Sequence, residues 1–299
     1  MVVIKSEGKF NDNSYLVDGN LMGTKENLAI YVIENGGMRL LIDTSSPLQS
    51  RKIVKKMKEL GIFPVHKILL THSHWDHIQG VEKLKKLMKE TDVEVLASEK
   101  AIDNLKDPKI INDVLENEMF NVQAKPVVDV TPLKEGDVID LNGLKLEVLN
   151  FFGHTMDSIA LYDEKNKNIF VGDAIGAVLD NNPIEPPFMP PDFNEQELLK
   201  TYQKLRDMKD KLNSICLGHF GVLTENDFNK ILEEIEEFYY KTRDSIIKWY
   251  NENPSLESLT SKYFETFMPS IPNPEMQMEF FKLTMDWLIK SLKLSGFIK

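Results

Sequence analysis

The chain has 299 residues, 42% apolar and 28% charged, a globular mixture that excludes disordered, collagenous and low-complexity architectures. Lys and Arg number 36 against 47 Asp and Glu, and a formal net charge of -11 argues against gripping nucleic acid through a basic face. The single cysteine, Cys216, excludes an intrachain disulfide framework and cysteine-rich zinc modules. No signal-peptide-like run and no membrane-length apolar stretch is visible, so the expectation is a soluble, cytoplasmic protein without a membrane partner.

The first part reads as short strands and hairpins. Leu28 to Ile33 and Met38 to Ile42 are apolar runs around the turn-forming Glu34-Asn35-Gly36-Gly37. A helix is predicted next, capped by Ser46, with Pro47 in its first turn and Gly61 as its stop. Ile53, Val54, Met57 and Leu60 line one of its faces. Lys67 to Leu70 is a short strand that runs into Thr71-His72-Ser73-His74-Trp75-Asp76-His77. Val81, Leu84, Leu87 and Met88 recur at helical spacing, Val93 to Ala97 is a strand, and Ser98 to Val122 reads as mostly helical. Asn142-Gly143 marks a hairpin between Val138–Leu141 and Leu144–Leu149, followed by strands Ile159–Tyr162 and Ile169–Val171. Pro183, Pro186, Pro187, Pro190 and Pro191 make residues 181–193 a loop. A helix from Asn194 to Leu212 leads into the strand Ser214–Leu217. From Asp227 the pattern is helical, with breaks at Asn253-Pro254 and from Pro269 to Pro274. Strands and helices thus occur twice over, then helices alone, which predicts a two-sheet α/β core with a helical C-terminal segment.

Of six histidines, three fall within residues 72–77. His72, His74, Asp76 and His77 follow an apolar strand and precede a helix, where a turn can aim several side chains at one point. Imidazoles with carboxylates suit zinc and other divalent transition ions. In an extended run alternate residues share a face, so His72, His74 and Asp76 are expected to project together while His77 points elsewhere, toward a neighbouring ion. His154, Asp173 and His219 each follow a glycine at a strand end, where the backbone turns tightly enough to bring the next side chain into a shared pocket. Several other residues carry blander expectations. His66 reads as an ordinary strand-end residue and Cys216 as core. Trp75 and Phe220 are packing residues or substrate contacts, and Phe188 with Met189 is a candidate apolar substrate wall.

Leu41–Ser45, Thr71–His77, Gly153–Thr155, Gly172–Ala174 and Gly218–Gly221 together resemble the five ordered motifs of the metallo-β-lactamase-fold hydrolase superfamily. The resemblance implies a four-layer αββα sandwich, an α/β fold, with a helical C-terminal extension. Residues 1–222 would be the hydrolase domain and 223–299 a helical segment packing on or near the active site. It also implies a ligand set: His72, His74 and His154 around a first metal, Asp76, His77 and His219 around a second, and Asp173 bridging the two. Asp43 would orient a ligand histidine. Asp173 stands where many β-lactamases of the family carry Cys, and His74 where the flavodiiron oxidoreductases carry Glu. Gly153–Ser158 departs from the Gly-His-Thr-x-Gly-His of many glyoxalase II-like enzymes. Length, Gly-His-Thr-x-Asp, Val95–Ala101 and the helical end are similar in layout to the thioesterase branch of the quinolone signal response protein.

The expectation is therefore a binuclear hydrolase using a metal-bridging hydroxide, with two divalent ions per chain, zinc first and iron or manganese as alternatives. Asp76 and Asp173 are the candidate catalytic residues. A thioester of the acyl-CoA kind is the first-choice substrate, because a thiolate leaves with little acid assistance. The alternatives are a lactone or phosphodiester hydrolase, or a metal-binding regulatory protein with weak hydrolase activity. Homodimerisation stays open. In the tail, Phe238, Tyr239, Ile246 and Trp249 form one apolar face, and Met276, Phe280, Leu283, Trp287 and Leu288 another. Both need burial, as scaffold or as a roof over the site, without touching the metals.

Overall fold

In the computed structural model of the chain, residues 3–115, 124–178, 184–270 and 274–299 are described. Two short strands, β1 (Val3–Ile4) and β2 (Gly8–Lys9), precede β3 (Ser14–Asp18). The expected hairpin follows as β4 (Ala29–Asn35) and β5 (Met38–Ile42), turning through Gly36 and Gly37 at positive φ. Helix α1 (Ser50–Glu59) begins later than Ser46 and Pro47 predict, because residues 47–49 first form a turn, and it gains no side-chain cap. Next come β6 (Lys67–Leu70), the single turn α2 (Trp75–Ile78), α3 (Val81–Leu87) and β7 (Glu94–Ser98). The helical stretch predicted after Ser98 is present as α4 (Ile102–Lys106) and α5 (Lys109–Leu115); residues 116–122 of that prediction lie outside the described residues. Strand β8 (Val130–Leu133) falls outside the predicted elements, and its Pro132 is tolerated because the strand lies at a sheet edge.

The second run supplies β9 (Val138–Leu141), β10 (Leu144–Asn150), β11 (Ile159–Asp163) and β12 (Asn168–Gly172). Helix α6 (Glu195–Met208) follows, capped by Asn194, whose side chain accepts from the Glu197 N–H at 3.1 Å. Strands β13 (Ser214–Leu217) and β14 (Gly221–Thr224) complete the sheet. Helices α7 (Glu225–Glu252), α8 (Leu256–Phe267) and α9 (Pro274–Leu294) end the chain, interrupted where the proline signals stand.

Strands β2 to β8 form one 7-stranded sheet in chain order, and the other, also 7-stranded, runs β1-β14-β13-β12-β11-β10-β9. Alternation along each strand sorts its side chains into layers. In β4, Tyr31 and Ile33 face the opposite sheet while Ile30 and Val32 face helices α1 and α3. In β12 and β13, Phe170 and Cys216 face inward, while Ile169, Val171, Ile215 and Leu217 face α6 and the tail. With both faces covered, the strands read as unbroken apolar runs. The order is helix, sheet, sheet, helix, as expected.

The tail shares the outer core of the second sheet. Tyr239, Ile246, Leu283 and Leu288 are buried there and Phe238 and Trp249 pack against it, whereas Trp287 packs on the core beneath α1 and α3. The side chains of Met276 and Phe280 lie outside the described residues. Phe188 is fully buried against Phe193 and Tyr239, so it is core rather than an open substrate wall; Met189 packs beside it. Trp75 and Phe220 are core residues too. Cys216 is fully buried. No helix among the described residues is long and apolar enough to cross a membrane.

Tyr31 stitches the two sheets together. Its buried hydroxyl lies 2.8 Å from the Leu217 carbonyl and 2.9 Å from that of Gly221. Tyr31→Phe strands these acceptors and should lower stability by about 1–3 kcal/mol, read from urea unfolding. An unchanged midpoint would show that the carbonyls find other partners.

Candidate metal centre

Most functional side chains stand just past a strand end, while Asp76 and His77 sit in the single turn α2 with His74 immediately before it. Asp43 follows β5, His72 follows β6, His154 follows β10, Asp173 follows β12, and His219 follows β13. Close approach dictates the glycines beside them. A Cβ on Gly218 would lie 2.2 Å from Asp173 Oδ1, and one on Gly172, at φ +53°, would lie 2.6 Å from Thr71 Oγ1.

Asp43, with a left-handed backbone at φ 61°, turns its carboxylate onto β6. It accepts from the Thr71 N–H (2.9 Å), the Thr71 hydroxyl (2.9 Å) and His77 Nδ1 (2.8 Å). With its proton given to Asp43, Thr71 Oγ1 presents a lone pair to His72 Nδ1 at 3.1 Å. His154 Nδ1 donates to the Pro187 carbonyl at 2.7 Å, and His219 Nδ1 donates to the Asn27 carbonyl. All four rings are thus held by Nδ1 and turn Nε2 inward, the orientation a metal ligand needs.

Three sets of donor atoms, each mutually within 4.8 Å, could hold an ion: His72 with His74 and His154, His72 with His77 and Asp173, and Asp76 with His77 and His219. Shared members make them one continuous cluster of all seven predicted residues. Asp173 Oδ2 lies 3.4 Å from both His77 Nε2 and His219 Nε2, and 3.8 Å from His154 Nε2. His72 Nε2, His77 Nε2 and Asp173 Oδ1 are buried without a hydrogen-bond partner, and His74 Nδ1 lies 3.0 Å from His154 Nε2, two ring nitrogens turned toward each other inside the cluster. Buried polar atoms are seldom left unpaired, so this cluster fits a cation that would satisfy them. The expected grouping of His72, His74 and Asp76 on one face does not occur. His74 is the last extended residue before α2, so the two-residue alternation stops there and Asp76 joins His77 and His219.

Charge divides the cluster. Burial pushes the His154 imidazole down to about 4, aided by His74, and burial with the neighbouring rings also lowers His72. Burial opposes charge on His219 as well, but the Asp173 and Asp76 carboxylates outweigh it and lift the ring to about 10. His77 is raised by Asp173, Asp76 and Asp43 against the same penalty. The cluster is sealed on one side, where His72 and His77 are 1% and 0% exposed. It opens on the other, where the side chains of His219, Asp76 and Asp173 are 15%, 13% and 14% exposed.

Residues 24–219 match the family model of the metallo-beta-lactamase superfamily. The chain belongs to this superfamily. Among curated members, it is 28% identical over 146 residues to the hydroxyacylglutathione hydrolase of Ruegeria pomeroyi, spanning 48% of this chain and 46% of that one. It is 26% identical over 205 residues to the human acyl-coenzyme A thioesterase MBLAC2, spanning 64% and 68% respectively. The chain spans less than two thirds of three curated relatives it matches, at 65, 60 and 46%. The fold is shared with the archaeal superfamily protein ST1585 of Sulfolobus tokodaii, at a TM-score of 0.64 and 16% identity over 95% of this chain and all 100% of that one.

Outside the cluster, His66 accepts the Arg39 N–H at 3.2 Å ahead of β6, the ordinary strand-end role expected. Thr71 and the carbonyls of Asn27 and Pro187 were not among the predicted site residues. Thr71 precedes His72 in the motif and its hydroxyl offers a signal, whereas a backbone carbonyl offers none.

In metal-free protein, carbon-detected NMR of the imidazoles should find His154 neutral down to pH about 4 and His219 protonated up to about 10. Unfolded imidazoles titrate near 6.5. His154 therefore costs stability as pH falls from 6.5 toward 4. His219 stabilises fully below 6.5 and loses that contribution as pH rises toward 10. Titration of both rings near 6.5 would contradict this electrostatic division.

Proposed function

We propose that the chain is a hydrolase carrying two divalent ions, zinc in first place with iron or manganese as alternatives, that acts on a thioester. The observation that carries it is the gathering of buried imidazole nitrogens beside Asp173, in sets of donors mutually within 4.8 Å and with His72 Nε2 and His77 Nε2 left unpartnered. His72, His74 and His154 would hold one ion, Asp76, His77 and His219 the other, and Asp173 would reach both. Bound ions of this kind lower the pKa of water to about 7 and polarise a carbonyl. The chain's own contribution is orientation and proton handling. Asp43 and the Asn27 and Pro187 carbonyls hold the rings by Nδ1. Asp76 Oδ2, on the open side and 3.2 Å from His219 Nε2, is placed to take a proton from an attacking water. The likeness to the hydroxyacylglutathione hydrolase and to MBLAC2, both thioester-cleaving by name or nature of their substrate, favours a thioester. Residues 1–222 carry the site and 223–299 pack beside it. The partner is a small molecule in the cytoplasm, with neither nucleic acid nor membrane engaged.

Elemental analysis of protein purified without chelator should find about two divalent ions per chain, as the assignment of His72, His74 and His154 to one ion and Asp76, His77 and His219 to the other implies. A metal-free protein that gains no activity on metal addition would refute the reading. Against a panel of acyl-CoA, acyl-glutathione, lactone and p-nitrophenyl phosphodiester substrates, the thioesters should be preferred. On the best of them, Asp76→Ala and Asp173→Ala should each lower kcat/KM by about 100-fold or more with the circular dichroism spectrum retained. Near-normal turnover in either variant would contradict the assigned roles.

A further inference from the structure

Glu185 stands beside the metal centre without belonging to it. Its main chain is bonded both ways to Ala177, at 3.0 and 2.7 Å, and the next residue, Val178, donates to the His219 carbonyl at 2.6 Å. Gly176, at φ +111°, packs so closely that a Cβ would lie 2.0 Å from the Glu185 carbonyl oxygen. The backbone therefore holds Glu185 beside the His219 turn. Its side chain is tied down from the tail: the Tyr263 hydroxyl of α8 donates to Oε1 at 3.2 Å, and Tyr263 is itself buried. Oε2 accepts no hydrogen bond among the described residues, and Glu185 as a residue is half-buried rather than enclosed.

The position is what makes this carboxyl informative. The cluster opens where His219, Asp76 and Asp173 are partly exposed, so a substrate reaching the ions passes His219. Glu185 lies within electrostatic reach of that ring. One oxygen is held by Tyr263, and the other has no donor among the described residues on a segment whose backbone is tied to the His219 turn. Thioesters of pantetheine and of glutathione share one chemical unit there, a sulfur followed by two carbons and an amide N–H.

We propose that Glu185, oriented by Tyr263, determines specificity by accepting on Oε2 a hydrogen bond from the amide N–H two carbons from the thioester sulfur. This inference rests on the thioesterase reading above. It assigns the tail a part in recognition through Tyr263. Burial, the main influence on the carboxyl, lifts it to about 7, so a second donor at Oε2 relieves a group that is poorly solvated. Accepted by the ionised carboxylate, which predominates above pH about 7, such a hydrogen bond sustains a preference of about 10-fold or more.

The test compares N-acetylcysteamine with 5-mercaptopentan-2-one, which replaces the N–H by a methylene, in calorimetric binding to metal-loaded protein and as acetyl thioesters in turnover. The wild-type protein should favour the amide compound by about 10-fold in both Kd and kcat/KM. Glu185→Leu should bring the amide compound down to its isostere with metal content unchanged, and Tyr263→Phe should narrow the gap. Glu185→Gln, which keeps a neutral acceptor of the same shape, should retain only part of the preference and guards against a folding defect in the leucine variant. Acetyl-CoA and acetylglutathione arms identify the carrier, as the one whose turnover Glu185→Leu lowers. No preference in the wild type, or an undiminished one in Glu185→Leu, overturns the proposal. Failure to cleave any thioester would instead overturn the thioesterase reading, and the calorimetric comparison would still decide whether Glu185 reads the amide.

Discussion

Asp43 accepts three hydrogen bonds, from the Thr71 amide, the Thr71 hydroxyl and the His77 ring, while only 1% exposed. A buried carboxylate is tolerated when its lone pairs are met in this way, and bonds to an ionised acceptor are stronger than neutral ones. The consequences run outward from that contact. Orienting the Thr71 hydroxyl also orients His72, and fixing His77 fixes the turn that carries Asp76. The next residue reinforces the arrangement, since Thr44 donates to the His77 carbonyl through both its N–H (2.9 Å) and its hydroxyl (2.7 Å). Gly80 is packed against the Thr44 carbonyl so closely that a Cβ would sit 2.4 Å from it. The end of β5 thus grips the histidine-rich loop at both of its ends.

Electrostatically the cluster has two unlike halves. Burial disfavours protonation of His72, His74 and His154; neighbouring rings add to it at His72 and His154, whereas at His74 the Asp76 and Asp173 carboxylates oppose it without overcoming it. His77 and His219 face carboxylates, which favour it, and these imidazoles in turn depress Asp76 and Asp173 against the cost of burial. Asp173 belongs to both surroundings. The protein therefore presents a neutral, nitrogen-only pocket adjoining an anionic, mixed one, and two cations held in them would experience different fields.

Much of this was legible in the sequence because the strands are buried on both faces and bracketed by glycine. Continuous apolar runs such as Ile68–Leu70 and Ile169–Val171 ended at residues whose chemistry stood out, and those ends converge. What escaped was governed by contacts across the chain. Asp76 changes sides because α2 begins one residue before it, a local choice between extended and helical backbone that two-residue periodicity cannot anticipate. The Asn27 and Pro187 carbonyls hold two ligand rings, yet every residue has a carbonyl. Strands β1 and β8 are short or carry proline, and exist because a partner edge is available. Aromatic spacing in the tail implied burial without saying against what, and nothing in that spacing singled out Tyr263, whose hydroxyl reaches Glu185.

The pairing of β1 with β14 has a bearing on the order in which this chain can fold during synthesis. Val3 and Ile4 lie opposite Leu223 and Val222, so a strand made among the first must wait for one made after nearly everything in both sheets. Closing so long a loop costs conformational entropy that only well-packed intervening structure can offset, and contacts of such sequence separation form slowly. The first sheet, by contrast, is complete at β8 and pairs neighbours in chain order. It can assemble on the ribosome while the second is still unfinished, with its inward face of Tyr31, Ile33 and Leu69 uncovered. That exposed apolar face is the stage at which a nascent chain would be most open to chaperone capture or misassociation.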